Sequence, residues 1–195
     1  MMKLNYKKVI FTGFAFFLIC AFWQAYDNVI PLILTNKFGM NQTWSGVIMA
    51  LDNLFALFLL PLFGALSDKT NTKFGRRTPY IFIGTICAVL VFIFLPLIDT
   101  LWLFILALLL VLLSMSIFRS PAVALMPDVT CKPYRSKANA VINLMGTAGG
   151  MIVLVFGTIF KTSEEHKTDF FPYILATAGL MLLGLIVFLL TVREK

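Results

Sequence analysis

Six apolar runs dominate this 195-residue chain, at roughly 9–35, 44–66, 79–98, 101–126, 137–160 and 170–192. Each is long enough to cross about 30 Å of hydrocarbon at about 1.5 Å per residue. A backbone in lipid must satisfy its own polar groups, so runs of this length are read as helices. The expectation is an all-α transmembrane bundle. Sixty per cent apolar residues, 20 Phe and only 13% charged residues exclude an ordinary soluble domain, which carries about 25% charge. The first run follows Lys3, Lys7 and Lys8 as a secretory signal would. It continues for about 25 residues and contains Asp27, too long for a cleaved apolar region, and reads as a retained helix.

The net charge of +7 invites a nucleic-acid reading, but the positions of the basic residues exclude it. With the N-terminus inside, Lys3, Lys7, Lys8, Lys69, Lys73, Arg76, Arg77, Lys132, Arg135, Lys137, Arg193 and Lys195 fall on the cytoplasmic side. Only Lys37, Lys161 and Lys167 fall outside. That bias predicts an even number of spans with both termini cytoplasmic, and the expected location is the plasma membrane. No heptad run, linker or low-complexity tract divides the chain, so 1–195 is one helical domain. Cys20, Cys87 and Cys131 have neither metal-ligand nor disulfide spacing and receive no function.

Charge inside hydrocarbon is costly, so each buried charge is a functional candidate. There are three: Asp27, Asp52 and Arg119. Asp27 lies before the outer end of span 1 and Asp52 after the outer end of span 2, which puts both about 12 Å deep by helical rise. They are expected to share one cavity. Arg119 in span 4 and Asn143 in span 5 sit about 10 to 12 Å from the inner surface and are expected to face each other. The two layers are then about 8 Å or more apart, too far for a simple ion pair unless Pro31 or Pro121 breaks a helix.

The Asp27 segment gathers Trp23, Gln24, Tyr26 and Asn28 within two turns, and Asn53 follows Asp52. Aromatic faces, amides and a carboxylate are what a hydroxylated ring compound requires: stacking for its CH faces, paired donors and acceptors for its hydroxyls. The functional reading is a solute pathway with a carboxylate that takes up a proton and a guanidinium that orients the substrate. The competing reading is structural: charges neutralising one another or capping broken helices, and aromatics packed in the bundle. Span 5 adds Gly146, Gly149, Gly150 and Gly157, which permit close helix contact within this bundle, with a partner half, or as a homodimer face.

Between spans 2 and 3 lies Gly64-Ala-Leu-Ser-Asp68-Lys69-Thr-Asn-Thr-Lys73-Phe-Gly75-Arg76-Arg77-Thr-Pro79. It resembles the signature between helices 2 and 3 of major facilitator superfamily transporters. Its longer form is similar to the branch holding glycoside:cation symporters and sucrose-transporter-like proteins. Arg119-Ser-Pro-Ala-Val-Ala-Leu-Met-Pro127-Asp128, then Arg135 and Asn143, resembles the span 4 to span 5 segment of the same branch.

The resemblance implies the N-terminal half of a major facilitator fold: a six-helix bundle of two inverted three-helix repeats. It implies a cytoplasmic gate built from Gly64, Asp68, Gly75, Arg76 and Arg77, joined by Asp128 and Arg135. It implies a secondary transporter and no enzyme, with a sugar-like substrate and no cofactor beyond a coupling ion. Melibiose-type carriers have an acidic pair in span 2 where this chain has Ala56 and Leu60, so a proton is expected rather than sodium. They also have an acidic residue in span 4 where Arg119 stands, which points to a sucrose-like site or an anionic substrate. The resemblance implies a C-terminal half absent from these 195 residues, supplied by a longer chain or by a second subunit. Carriage of a non-sugar solute, or a non-transporting six-helix membrane protein, stays open.

Overall fold

The computed structural model describes residues 6–161 and 170–192. Lys3, Lys167, Arg193 and Lys195 of the charge count lie outside the described residues. All six apolar runs are helical. α1 (Tyr6–Leu32) continues into a π-turn (Ile33–Lys37), and α2 (Gln42–Met49) with α3 (Leu51–Lys69) forms the second span. α4 (Thr78–Phe94) ends in a 3₁₀ turn (Leu95–Leu97), and α5 (Leu101–Val129) leads through another (Lys132–Tyr134) to α6 (Arg135–Lys161). α7 (Phe171–Thr191) completes the set, and among the described residues there is no strand.

Local chemistry explains the ends. The Asn41 side chain accepts from the Thr43 amide and starts α2. Pro79 and Pro172 occupy first turns of α4 and α7, where a missing N–H costs nothing. Pro31 is different, because it sits inside α1 and withholds the donor that the Asp27 carbonyl would otherwise receive. The helix then widens, and the Phe38 amide donates to the Ile33 carbonyl five residues back. Span 4, expected to end near 126, runs further. α5 runs through Pro127 to Val129, so Asp128 is carried on a helix rather than in a loop.

Packing centres on α1. It lies against α6 and α7 and touches α5, while α5 lies against α4 and α3. Exchanging spans 1 to 3 with spans 4 to 6 maps the first set of partners onto the second: the fourth span meets the second and third as the first meets the fifth and sixth. Ala15, Leu18, Phe22, Tyr26 and Ile30 make the buried face of α1, and Phe104, Leu108, Val111, Met115 and Phe118 that of α5. Many large apolar side chains on α3, α5 and α7 are exposed, including Phe58, Leu103 and Leu183. In a membrane protein these are surfaces for lipid or for another helix layer, not defects.

Two glycines set the closest approaches. A Cβ on Gly84 would stand 2.8 Å from the Phe118 amide nitrogen, and one on Gly149 would stand 2.7 Å from the Phe17 carbonyl oxygen. Helices α4 and α5, and α1 and α6, therefore meet backbone to backbone. The span 5 glycines pack inside this bundle, since Gly146 faces Cys20 of α1 and Gly157 faces Tyr173 of α7. A homodimer face at Gly146 and Gly150 is thereby corrected: α1 occupies it.

Candidate functional site

At the Lys- and Arg-rich end, Arg77 ties together three helix ends. It stands at the N-cap of α4. Its Nη2 donates to Asp68 Oδ1 at 2.6 Å, its Nη1 to Ser67 Oγ at 2.7 Å and its Nε to Asp128 Oδ2 at 2.8 Å. The guanidinium is buried, whereas Asp68 is mostly exposed and Asp128 about one-third so. Both aspartates occupy last turns, α3 for Asp68 and α5 for Asp128, where the helix dipole disfavours an anion. Arg77 offsets that penalty for both. Ser67 passes the chain on by donating to the Gly64 carbonyl at 2.8 Å.

The loop between them is fastened. Gly75 adopts φ 111°, a left-handed conformation that favours glycine. Its amide donates to the Thr72 carbonyl, and the Thr72 hydroxyl donates to the Gly75 carbonyl. Thr70 and Tyr80 share a hydroxyl hydrogen bond of 2.8 Å across the loop mouth. Arg76 and Arg77 consequently part company: Arg77 turns inward and Arg76 stands exposed, outside the ion network. Arg135 is exposed too and reaches the α5 end through the Pro127 carbonyl, at 2.9 Å, rather than through Asp128.

Gly64 has a second neighbour. Ser120 of α5 donates from Oγ to the Leu60 carbonyl of α3 at 2.7 Å, and a Cβ on Gly64 would stand 2.9 Å from the Ser120 Oγ. The glycine thus makes room for an interhelical hydroxyl immediately beside Arg119.

Deeper in the bundle, the Arg119 guanidinium lies 5.2 Å from the centre of the Trp23 ring, a cation–π contact between α5 and α1. Trp23 meets Tyr26 edge-on at 5.3 Å, and Phe22 stacks near Tyr26 at 6.0 Å. Asp27 follows on α1 and is exposed, while Asn28 is half-buried and turned toward Tyr173 of α7. Gln24 lies beside Gly150 of α6.

Asp52 stands in the first turn of α3, just past the break at Ala50. Its Oδ1 accepts from the amide and the side chain of Asn53, at 2.6 and 2.8 Å. Asp27 and Asp52 are within Coulombic range of each other, and both act on Tyr26. The Trp23 and Tyr26 rings bridge the distance between the carboxylate layer and Arg119.

One expected pairing fails. Asn143 is exposed and donates to the Asn139 carbonyl of its own helix at 2.9 Å, so it does not face Arg119. The physical reason is that α5 and α6 barely touch. Ser67 and Ser120 carry no signal in the sequence. Serine in an apolar helix raises no alarm because it can bond its own backbone.

A family model described as the Major Facilitator Superfamily matches residues 12–195 of this chain. A 50-residue stretch is 38% identical to the sucrose transport protein SUC4 of Arabidopsis thaliana, covering 26% of this chain and 10% of that protein. The chain therefore aligns with only a small part of that relative.

Proposed function

We propose that this chain, which belongs to the Major Facilitator Superfamily, forms one half of a proton-coupled sugar or glycoside pathway that works by alternating access. The observation that carries this is Arg119 stacked on Trp23: a guanidinium held on an aromatic face, with no carboxylate partner among the described residues. Its donors stay available to a solute. The indole Nε1 of Trp23 and the hydroxyl of Tyr26 are buried without a hydrogen-bond partner among the described residues. An unmet buried donor costs about 1 to 3 kcal/mol, which a hydroxylated solute would relieve.

In this reading Asp27 carries the proton and Asp52 tunes it, while Trp23, Tyr26, Gln24, Asn28 and Asn53 line the route. Arg77, with Asp68 and Asp128, fastens the cytoplasmic end of one state, and Gly64 and Gly75 shape that fastening. The basic end and both termini then face the cytoplasm from the plasma membrane. The partial match to a sucrose transport protein supports a sugar over other solutes. A second six-helix half, in a longer chain or another subunit, completes the pathway.

The test is uptake of labelled disaccharides into vesicles reconstituted with the protein, with and without an inward proton gradient. Gradient-stimulated uptake of a neutral sugar is expected. Uptake of organic anions in its place would move the substrate class to match Arg119, and sodium-driven uptake would overturn proton coupling.

A further inference from the structure

Between the first turns of α4 and the end of α7 runs a groove of about 450 Å³ at the basic end of the bundle. Phe74, Pro79, Phe82, Ile83, Leu189 and Val192 line it. Phe82 and Ile83 are roughly half exposed, and Phe74 is 77% exposed. Phe74 is no frayed residue, since it sits inside the turn that Thr72 and Gly75 close.

The charges beside it are unspent. Lys73 and Arg76 flank Phe74, both are exposed, and neither has an ion pair among the described residues. Two acids at the same end of the bundle, Asp68 and Asp128, are already taken by Arg77. The groove thus has apolar walls on two membrane-spanning helices, and the loop residue that lines it, Phe74, lies in the chain between the basic residues Lys73 and Arg76. An occupant of the walls alone would be any lipid tail, and an occupant of the basic pair alone any small anion. Only an amphiphile with an anionic head answers both.

We propose that this groove binds an anionic phospholipid, one acyl chain lying between α4 and α7 and the phosphate held by Lys73 and Arg76. This assigns Arg76 a partner outside the protein, while Arg77 serves the network within it. A basic site next to a span attracts acidic lipid by a margin that each charge multiplies.

Native mass spectrometry tests it, on the purified full chain in micelles containing phosphatidylglycerol and phosphatidylcholine of identical acyl chains. The chain should retain phosphatidylglycerol preferentially. Lys73→Gln and Arg76→Gln should each reduce that retention roughly five-fold, while the swap Lys73→Arg with Arg76→Lys should restore it. Ile83→Trp, which fills the groove and leaves the charges intact, should reduce retention of both lipids. Lys137→Gln, at the same end but on α6, should leave retention unchanged.

Equal retention of the two lipids by the unaltered chain would overturn the proposal. So would a loss with Lys137→Gln matching that with Arg76→Gln, which would mean diffuse attraction to the basic end. Displacement by glycerol phosphate would reduce the site to a phosphate site. A dimer abolished by Ile83→Trp would give the groove to a second copy.

Discussion

Arg119 lies over the indole of Trp23, at 5.2 Å, and against no aspartate among the described residues. That contact links α5 to α1 between two half-buried side chains, and among the described residues the guanidinium has no ion-pair partner. Under the proposed function, the proton on Asp27 and the solute on Arg119 would then be held by different groups on adjacent helices.

Replacing Trp23 with Phe keeps an aromatic face but weakens the attraction for the guanidinium and removes Nε1. Solute affinity should fall by about five- to ten-fold, in line with loss of one buried hydrogen bond of about 1 kcal/mol. Titration of sugar against the reconstituted protein measures it. Unaltered affinity would mean that Trp23 only packs.

Removing Arg77 leaves Asp68 and Asp128 uncompensated at two helix ends. For a wholly buried pair the loss is about 3 to 5 kcal/mol, and the exposure of both aspartates brings the expected figure for Arg77→Ala down to about 2. Arg76→Ala should stay within about 0.5 kcal/mol, as for other exposed positions. Thermal midpoints in detergent compare the two, and similar losses would contradict the difference in their surroundings.

Gly84 and Gly179 predict opposite tolerances. A methyl at Gly84 meets Phe118 and the Ser114 carbonyl inside 3.0 Å, whereas at Gly179 nothing lies within 4 Å. Gly84→Ala should cost about 1 to 3 kcal/mol by overpacking, with Gly179→Ala near neutral. The same melting measurement decides it.

Gly64 and Ser120 should act as a coupled pair. Ser120→Ala forfeits the bond to the Leu60 carbonyl, worth about 1 kcal/mol. Gly64→Ala crowds that hydroxyl, so its cost should shrink in the Ser120→Ala background. A double-mutant cycle that summed to zero coupling would refute the contact.

The spans were legible in the sequence because hydrocarbon imposes a length and a polarity that few other constraints mimic. Asp27, Asp52 and Arg119 stood out for the same reason. Their partners did not. Helical rise yields depth but not direction around the axis, so depth alone pairs Asn143 with Arg119, whereas it is Trp23 that holds the guanidinium. Arg76 and Arg77 looked alike as neighbours in a motif, yet the left-handed turn at Gly75 sends one outward and seats the other at the α4 N-cap. The glycines of α6 announced a close contact without naming α1 as the other side. The apolar run ends near 126, which leaves Asp128 outside span 4 by hydropathy, although a proline near the end of a helix does not stop its last turn.

Disaccharide uptake by reconstituted vesicles measures at once the two proposed roles, Asp27 as proton carrier and Arg119 as holder of the solute. Asp27→Asn should abolish the stimulation by an inward proton gradient and leave sugar affinity within about two-fold. Arg119→Ala should weaken affinity about ten-fold or more, as expected for a lost charged hydrogen bond of about 1.5 to 3 kcal/mol, with the gradient response retained. Undiminished gradient stimulation in Asp27→Asn, or unchanged affinity in Arg119→Ala, would contradict the assignment.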